Sequence, residues 1–237
     1  MTGFFVPRGN PPAAETDGPI GCAHLAAGLL RVGIPVRLVT DPLCLNAVKV
    51  AAQAAGISDQ VSVDVVPVNA ASVEDPSVAS IVNAWQSAKP QVSHVIAIER
   101  AGPGYDGIVW NMIGKDITAD TAPLHLLFTL NEIISIGIGY AGNELGMGTL
   151  PRELIAKGVS TGEKIACSWT FGKKCVKIVP NHYIAILLPE NTLAIRETIL
   201  SALPPCFEKW CQKFDDLFKT KGQKKGFRYY LAGLLGE

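Results

Sequence analysis

Three acid-bearing segments carry the side chains best able to do chemistry: Glu15-Thr16-Asp17-Gly18, Glu99-Arg100, and Asn143-Glu144 within the glycine-rich run Gly137 to Gly148. Carboxylates act as general acids or bases and as hard oxygen ligands. Several of them converging in one crevice would repel one another and raise their pKa values unless a cation neutralised them. A divalent metal held by oxygen, magnesium or manganese, is therefore the economical expectation. Each acid also has a plainer reading: Asp17 as a helix cap, and Asp41 as a turn former before Pro42.

Other chemistries find less support. Gly137-Ile138-Gly139-Tyr140-Ala141-Gly142 satisfies GxGxxG, but two more glycines, Gly146 and Gly148, fall where a dinucleotide-binding helix should begin. Glu144 also carries the wrong charge for a pyrophosphate. The four histidines, His24, His94, His125 and His182, show neither HExxH nor HxH spacing. The six cysteines form no CxxC pair, which argues against a zinc ribbon or a disulfide scaffold.

The acids need elements to position them. Ile20 to Val32 has Ala/Leu composition at helical spacing and stops at Gly33. Val36 to Thr40 predicts a buried strand delivering Asp41 at its C-terminal edge, followed by a helix over 43–55. Val61 to Val66 reads as a strand, Val73 to Ala88 as a helix, and His94 to Ile98 as a strand handing off to Glu99. Pro123 to Asn131 predicts a helix, Ile133 to Ile138 a strand, and Pro151 to Lys157 a short helix. Beyond it, Lys164 to Phe171 and Val176 to Leu188 read as strands and Leu193 to Leu203 as a helix. The basic tail Lys219 to Arg228 reads as solvated.

This βαβ alternation predicts an α/β domain, three-layered and Rossmann-like, with a largely parallel sheet. Its crevice lies outside the C-terminal strand ends, where Asp41, Glu99 and Glu144 follow their strands. Glu15 and Asp17 join them if the opening loop follows a first strand. The chain instead enters that loop directly at Thr2-Gly3-Phe4, so such a strand is expected to be missing.

Length and charge set the remaining bounds. A chain of 237 residues, 48% hydrophobic, is expected to be one domain over 1–237. Its 21 basic and 21 acidic residues cancel, giving no global field for nucleic acid or an anionic membrane. No apolar run approaches the ~20 residues of a membrane span. The expected partners are a small molecule and a cation, and oligomeric state is not legible.

Taken together and in order, Glu15-Thr16-Asp17-Gly18-Pro19, Ile98 to Pro103 with Asp106-Gly107 and Asn111-Met112, and GYAGNELGMG over Gly139 to Gly148 resemble the D-glutamate cyclase family. The resemblance covers about residues 2–167. It implies a lyase that converts D-glutamate to 5-oxo-D-proline and water around a divalent cation. Carried over, it gives catalytic roles to Asp17, Glu99 and Glu144, and metal-ligand roles to Glu15, Asp17, Glu99, Asp106 and Glu144. Arg100, Asn111, Asn143 and Gly142 would bind the amino-acid substrate. It also implies an intracellular setting, mitochondrial matrix or cytoplasm, because animal members are mitochondrial proteins in which this domain follows another.

Two departures stand out. Tyr140-Ala141 occupies the place of an expected Asp-Gly, and the 168–237 segment lacks the family's Ser-Asn-Trp-Gly loop. They support, as alternatives, a catalytically impaired metal- or ligand-binding homologue and, on GxGxxG alone, a nucleotide-binding oxidoreductase.

Overall fold

The computed structural model describes residues 1–129, 133–170, 176–177 and 186–187. All lie in the unit Met1–Glu190, so the single domain expected over 1–237 is described only there. The helix expected over 193–203 and the basic tail lie outside the described residues.

The chain opens with a small antiparallel pair, β1 (Phe5–Val6) and β2 (Ala13–Ala14), and enters helix α1 (Asp17–Arg31). Strand β3 (Arg37–Thr40), helix α2 (Leu45–Ala54), strand β4 (Ser62–Val65), helix α3 (Pro76–Ser87) and strand β5 (His94–Ile98) follow. Strand β6 (Ile134–Ile138) comes after a short 3-10 segment, Leu124–Thr129. β3 pairs parallel with β4, and β5 with β6, each in an unbroken register.

The N-terminus joins these pairs. The Thr2 N–H donates to Val39 O at 3.0 Å, the Ile98 N–H donates to Met1 O at 2.9 Å, and Thr2 bridges Ile98 in parallel. Two residues thus occupy the lane between β3 and β5, where a first strand was expected to be missing.

Strand alternation sorts the core into two clusters. Val39, Val95 and Ala97 pack with Val78, Ile81 and Trp85 of α3. Leu38 and Ile98 pack with Cys22 and Ala26 of α1 and with Val48 and Ala52 of α2. Helix boundaries follow local chemistry. Asp75 caps α3 by accepting from the Ser77 N–H, with Pro76 at the first helical position. Gly33, at φ +78°, turns the chain out of α1.

Two expectations need correction. Leu124–Thr129 is a 3-10 helix, opened by the i→i−3 hydrogen bond from the Leu126 N–H to Pro123 O. Lys164 and Ile165 belong to helix α5 (Gly162–Ile165), which follows helix α4 (Arg152–Gly158). No strand runs over 164–170, because the Cys167 and Ser168 N–H groups donate to the loop carbonyls of Gly142 and Pro103. The strand expected over 176–188 is described only at β7 (Val176–Lys177) and β8 (Ile186–Leu187), which pair antiparallel. Among the described residues no helix is long and apolar enough to cross a membrane.

Candidate functional site

The site grows from the C-terminal ends of the parallel strands. β5 ends at Ile98, and Glu99 follows in a left-handed conformation at φ +48°, which is strained for a residue other than glycine. Its N–H donates to Ile138 O of β6. Gly18 lies directly against it: a Cβ there would stand 2.9 Å from Glu99 Cβ and 2.6 Å from Thr2 Oγ1. The glycine of Glu-Thr-Asp-Gly is therefore a steric requirement for seating the start of α1 on Glu99. Asp17 is the first residue of α1, and Thr16 rather than Asp17 is at the N-cap position. Glu15 precedes it, its N–H donating to Phe4 O.

Arg100 turns inward. Its Nη1 donates to Asp41 Oδ2 at 2.5 Å and to Gly3 O at 2.7 Å, and its Nη2 donates to Ala122 O at 2.5 Å. Both side chains of the Arg100–Asp41 pair are 1% exposed. The fork expected to hold a substrate carboxylate instead ties the ends of β3 and β5 to the N-terminal segment. Asp41 Oδ1 also accepts from the Cys44 N–H, so the turn-forming role of this aspartate is present too. Thr2 Oγ1, Thr40 Oγ1 and Arg100 Nε are buried without hydrogen-bond partners among the described residues. Nothing in residue spacing flagged these threonines.

The loop after β6 is organised by Glu144. Its Oε1 accepts from the Tyr140 and Ala141 N–H groups at 2.9 and 2.8 Å, and its Oε2 accepts from the Gly142 N–H at 2.7 Å. The side chain is buried, and burial pushes its carboxyl above the ordinary range against the opposing pull of those amides. Ala101 bridges Glu144 antiparallel, the Leu145 N–H donates to Arg100 O, and the Gly102 N–H donates to Asn143 O. The exits of β5 and β6 are thus closed into one seam. No α-helix starts at Gly142; the chain passes through left-handed Gly142 and Gly146 into a 3-10 turn at Met147–Thr149. A dinucleotide cradle would require the helix that is missing there.

Asn143 is buried, and its Nδ2 donates to Trp110 O at 2.8 Å. That contact docks the 103–116 loop, in which Asp106 accepts from the Ile108 N–H and from Trp110 Nε1. Asn111 Oδ1 caps a turn by accepting from the Ile113 and Lys115 N–H groups. Lys164 closes the loop from outside, with Nζ 3.9 Å from the Trp110 ring centroid and donating to Gly114 O. An apolar hollow lined by Tyr140, Met147, Leu150, Leu154, Ile155 and Val159 flanks the seam.

The structure thus sets Glu99 against the Glu15–Gly18 segment and zips Arg100, Asn143 and Glu144 together behind it, while Asp106 and Asn111 organise a separate loop. Among the described residues no three His, Cys, Asp or Glu side chains converge as metal ligands. Glu144 and Asp106 direct their oxygens to protein N–H groups.

Parallel strand pairs with flanking helices make this a mixed α/β fold, with acid-bearing loops at the strand ends. The family model described as D-glutamate cyclase-like, C-terminal, matches residues 1–182. The chain is also 31% identical, over 237 aligned residues, to the D-glutamate cyclase, mitochondrial, of Homo sapiens. That similarity covers 93% of this chain and 38% of the human protein's length. The chain belongs to the D-glutamate cyclase-like C-terminal family. The match runs past residue 167, where the recognisable motifs end, and takes in the start of the segment expected to be divergent.

Proposed function

We propose that this domain is a D-glutamate cyclase-type lyase, forming 5-oxo-D-proline and water from D-glutamate with a divalent cation, manganese or magnesium. The observation that carries the reading is Glu99, held at φ +48° against Gly18, which brings together two of the motifs that carry the family resemblance. Strain of this kind persists only where the surroundings enforce it, and it gathers at functional sites.

The reaction joins the substrate's α-amine nitrogen to its own γ-carboxyl carbon and expels one carboxyl oxygen as water. The substrate's ammonium must give up two protons in becoming an amide, and the departing carboxylate oxygen must take up two to leave as water. Glu99, with Asp17 at the start of α1 next to the Gly18 that packs against it, is the residue assigned to that transfer. Glu15, Asp17 and Glu99 would hold the cation, which when bound supplies positive charge to the carboxyl oxygen and makes a poor electrophile reactive. Asn111, Asn143 and Gly142 lie on the loops that would frame the substrate, and Arg100 orders the floor beneath them. The same reading takes the fold as three-layered and Rossmann-like, supported by the two core clusters and the Met1–Thr2 lane. It places the protein in the mitochondrial matrix or cytoplasm, with an amino acid rather than nucleic acid or membrane as partner. The test is 5-oxoproline formation from D-glutamate, and not from L-glutamate, with manganese or magnesium added.

A second reading, a metal- or ligand-binding homologue with impaired catalysis, rests on two features of the loop after β6. Tyr140-Ala141 replaces the Asp-Gly of the family pattern, and Glu144 directs both oxygens to backbone amides. Metal-dependent thermal stabilisation without turnover would support it.

A further inference from the structure

We infer that the Tyr140, Ala141 and Gly142 amides form a carboxylate-binding nest that this chain fills with its own Glu144, making Glu144 a positioning residue that holds the loop rather than a reacting acid. The inference takes this loop to belong to the site proposed above.

Three consecutive N–H groups converge on one carboxylate at 2.7 to 2.9 Å, with both oxygens engaged. Successive amides turned to one side are an anion-binding device, and hydrogen bonds to an ionised acceptor are about twice as strong as neutral ones. The surrounding sequence is built for this docking. A Cβ on Gly139 would lie 2.7 to 2.8 Å from Glu144 Cδ, Cγ and Cβ, so only glycine leaves room for the side chain to fold back. Gly142, at φ +92°, leaves 2.3 Å between its Cβ position and Ile155 Cγ2, which excludes any larger residue. Gly139 and Gly142 are thereby explained without a dinucleotide.

The consequence falls on neighbouring residues. With Glu144 seated, Asn143 O accepts from the Gly102 N–H, Asn143 Nδ2 reaches Trp110 O, and Gly142 O accepts from the Cys167 N–H. Three loops therefore take their position from one carboxylate. The ligand class of the nest is a small carboxylate monoanion.

The experiment is carboxylate rescue of Glu144→Ala. In wild-type protein the Tyr140, Ala141 and Gly142 amide protons should exchange slowly with solvent. Glu144→Gln, which keeps the bulk and loses the charge, should unfold at lower temperature than wild type. Sodium formate or acetate should raise the unfolding temperature of Glu144→Ala by several degrees more than equal sodium chloride does, and should not do so for wild type or Glu144→Gln. Fast exchange of all three wild-type amides would overturn the inference, and this arm stands even if Glu144→Ala fails to fold. A folded Glu144→Ala indifferent to formate would overturn it too. Neither readout needs turnover, so a chain inactive on D-glutamate would remove the functional reading and leave this one intact.

Discussion

Arg100 and Asp41 meet at 2.5 Å, both 1% exposed, and through that contact the end of β5 is fixed to the end of β3. A buried pair contributes little net stability against an apolar replacement, but removing one partner strands the other charge. Asp41→Ala or Arg100→Met should each lower stability by about 3–5 kcal/mol, with the double variant less destabilised than the sum of the two. Urea unfolding of the three variants measures it. Additive losses would show that the pair is not coupled.

Gly18→Ala tests the seating of α1 on Glu99. Its Cβ would stand 2.6 Å from Thr2 Oγ1 and 2.9 Å from Glu99 Cβ, so one of the two must move. Overpacking of this kind should cost about 1–3 kcal/mol. Gly28→Ala is the internal control, because nothing lies within 4 Å of a Cβ there. Alanine favours a helix interior, so Gly28→Ala should be neutral or slightly stabilising in thermal melts while Gly18→Ala is not.

His125 gives a pH dependence with a definite sign. Burial against the Trp169 ring, with the Arg100 charge adding to it, lowers its pKa to about 4 from the model-peptide value of 6.5. The folded state holds this imidazole neutral, so the unfolded chain binds more protons between those two values. Its contribution is fully present above about pH 6.5 and is lost as pH falls toward about 4, by at most about 3 kcal/mol. Unfolding free energies of wild type and His125→Gln, compared across that window, should differ in slope. Parallel curves would contradict the assignment.

Glu99→Gln tests the residue assigned to proton transfer. Turnover of D-glutamate should fall by about a hundredfold or more, the usual worth of a positioned acid or base. Glu153→Gln, in the first turn of α4, should leave it unchanged. A Glu99→Gln enzyme with wild-type turnover would remove Glu99 from the mechanism.

Helices α1, α2 and α3 and strands β3 to β6 were legible because apolar periodicity, Gly33 and the Asp75-Pro76 start are local signals. The motif order also pointed to the right family. The partners of individual side chains were not legible. Arg100 looks like a carboxylate clamp in sequence, yet its partner Asp41 lies 59 positions away and is reached only through the fold. Glu144 looks like a ligand, yet its oxygens turn to amides two to four residues back, which depends on loop dihedrals that glycine leaves open. Lys164 to Phe171 reads as a strand in sequence, whereas the N–H groups of Lys164 to Ala166 close a helical turn on Thr161 and Gly162, and those of Cys167 and Ser168 donate to Gly142 and Pro103 in neighbouring loops.

The most direct measurement follows 5-oxoproline formation by purified protein, with manganese or magnesium, from D-glutamate and from L-glutamate in parallel. Product should form from the D-isomer alone, be lost on chelation and be restored by added metal. No product at high enzyme concentration, or equal product from both isomers, would contradict it.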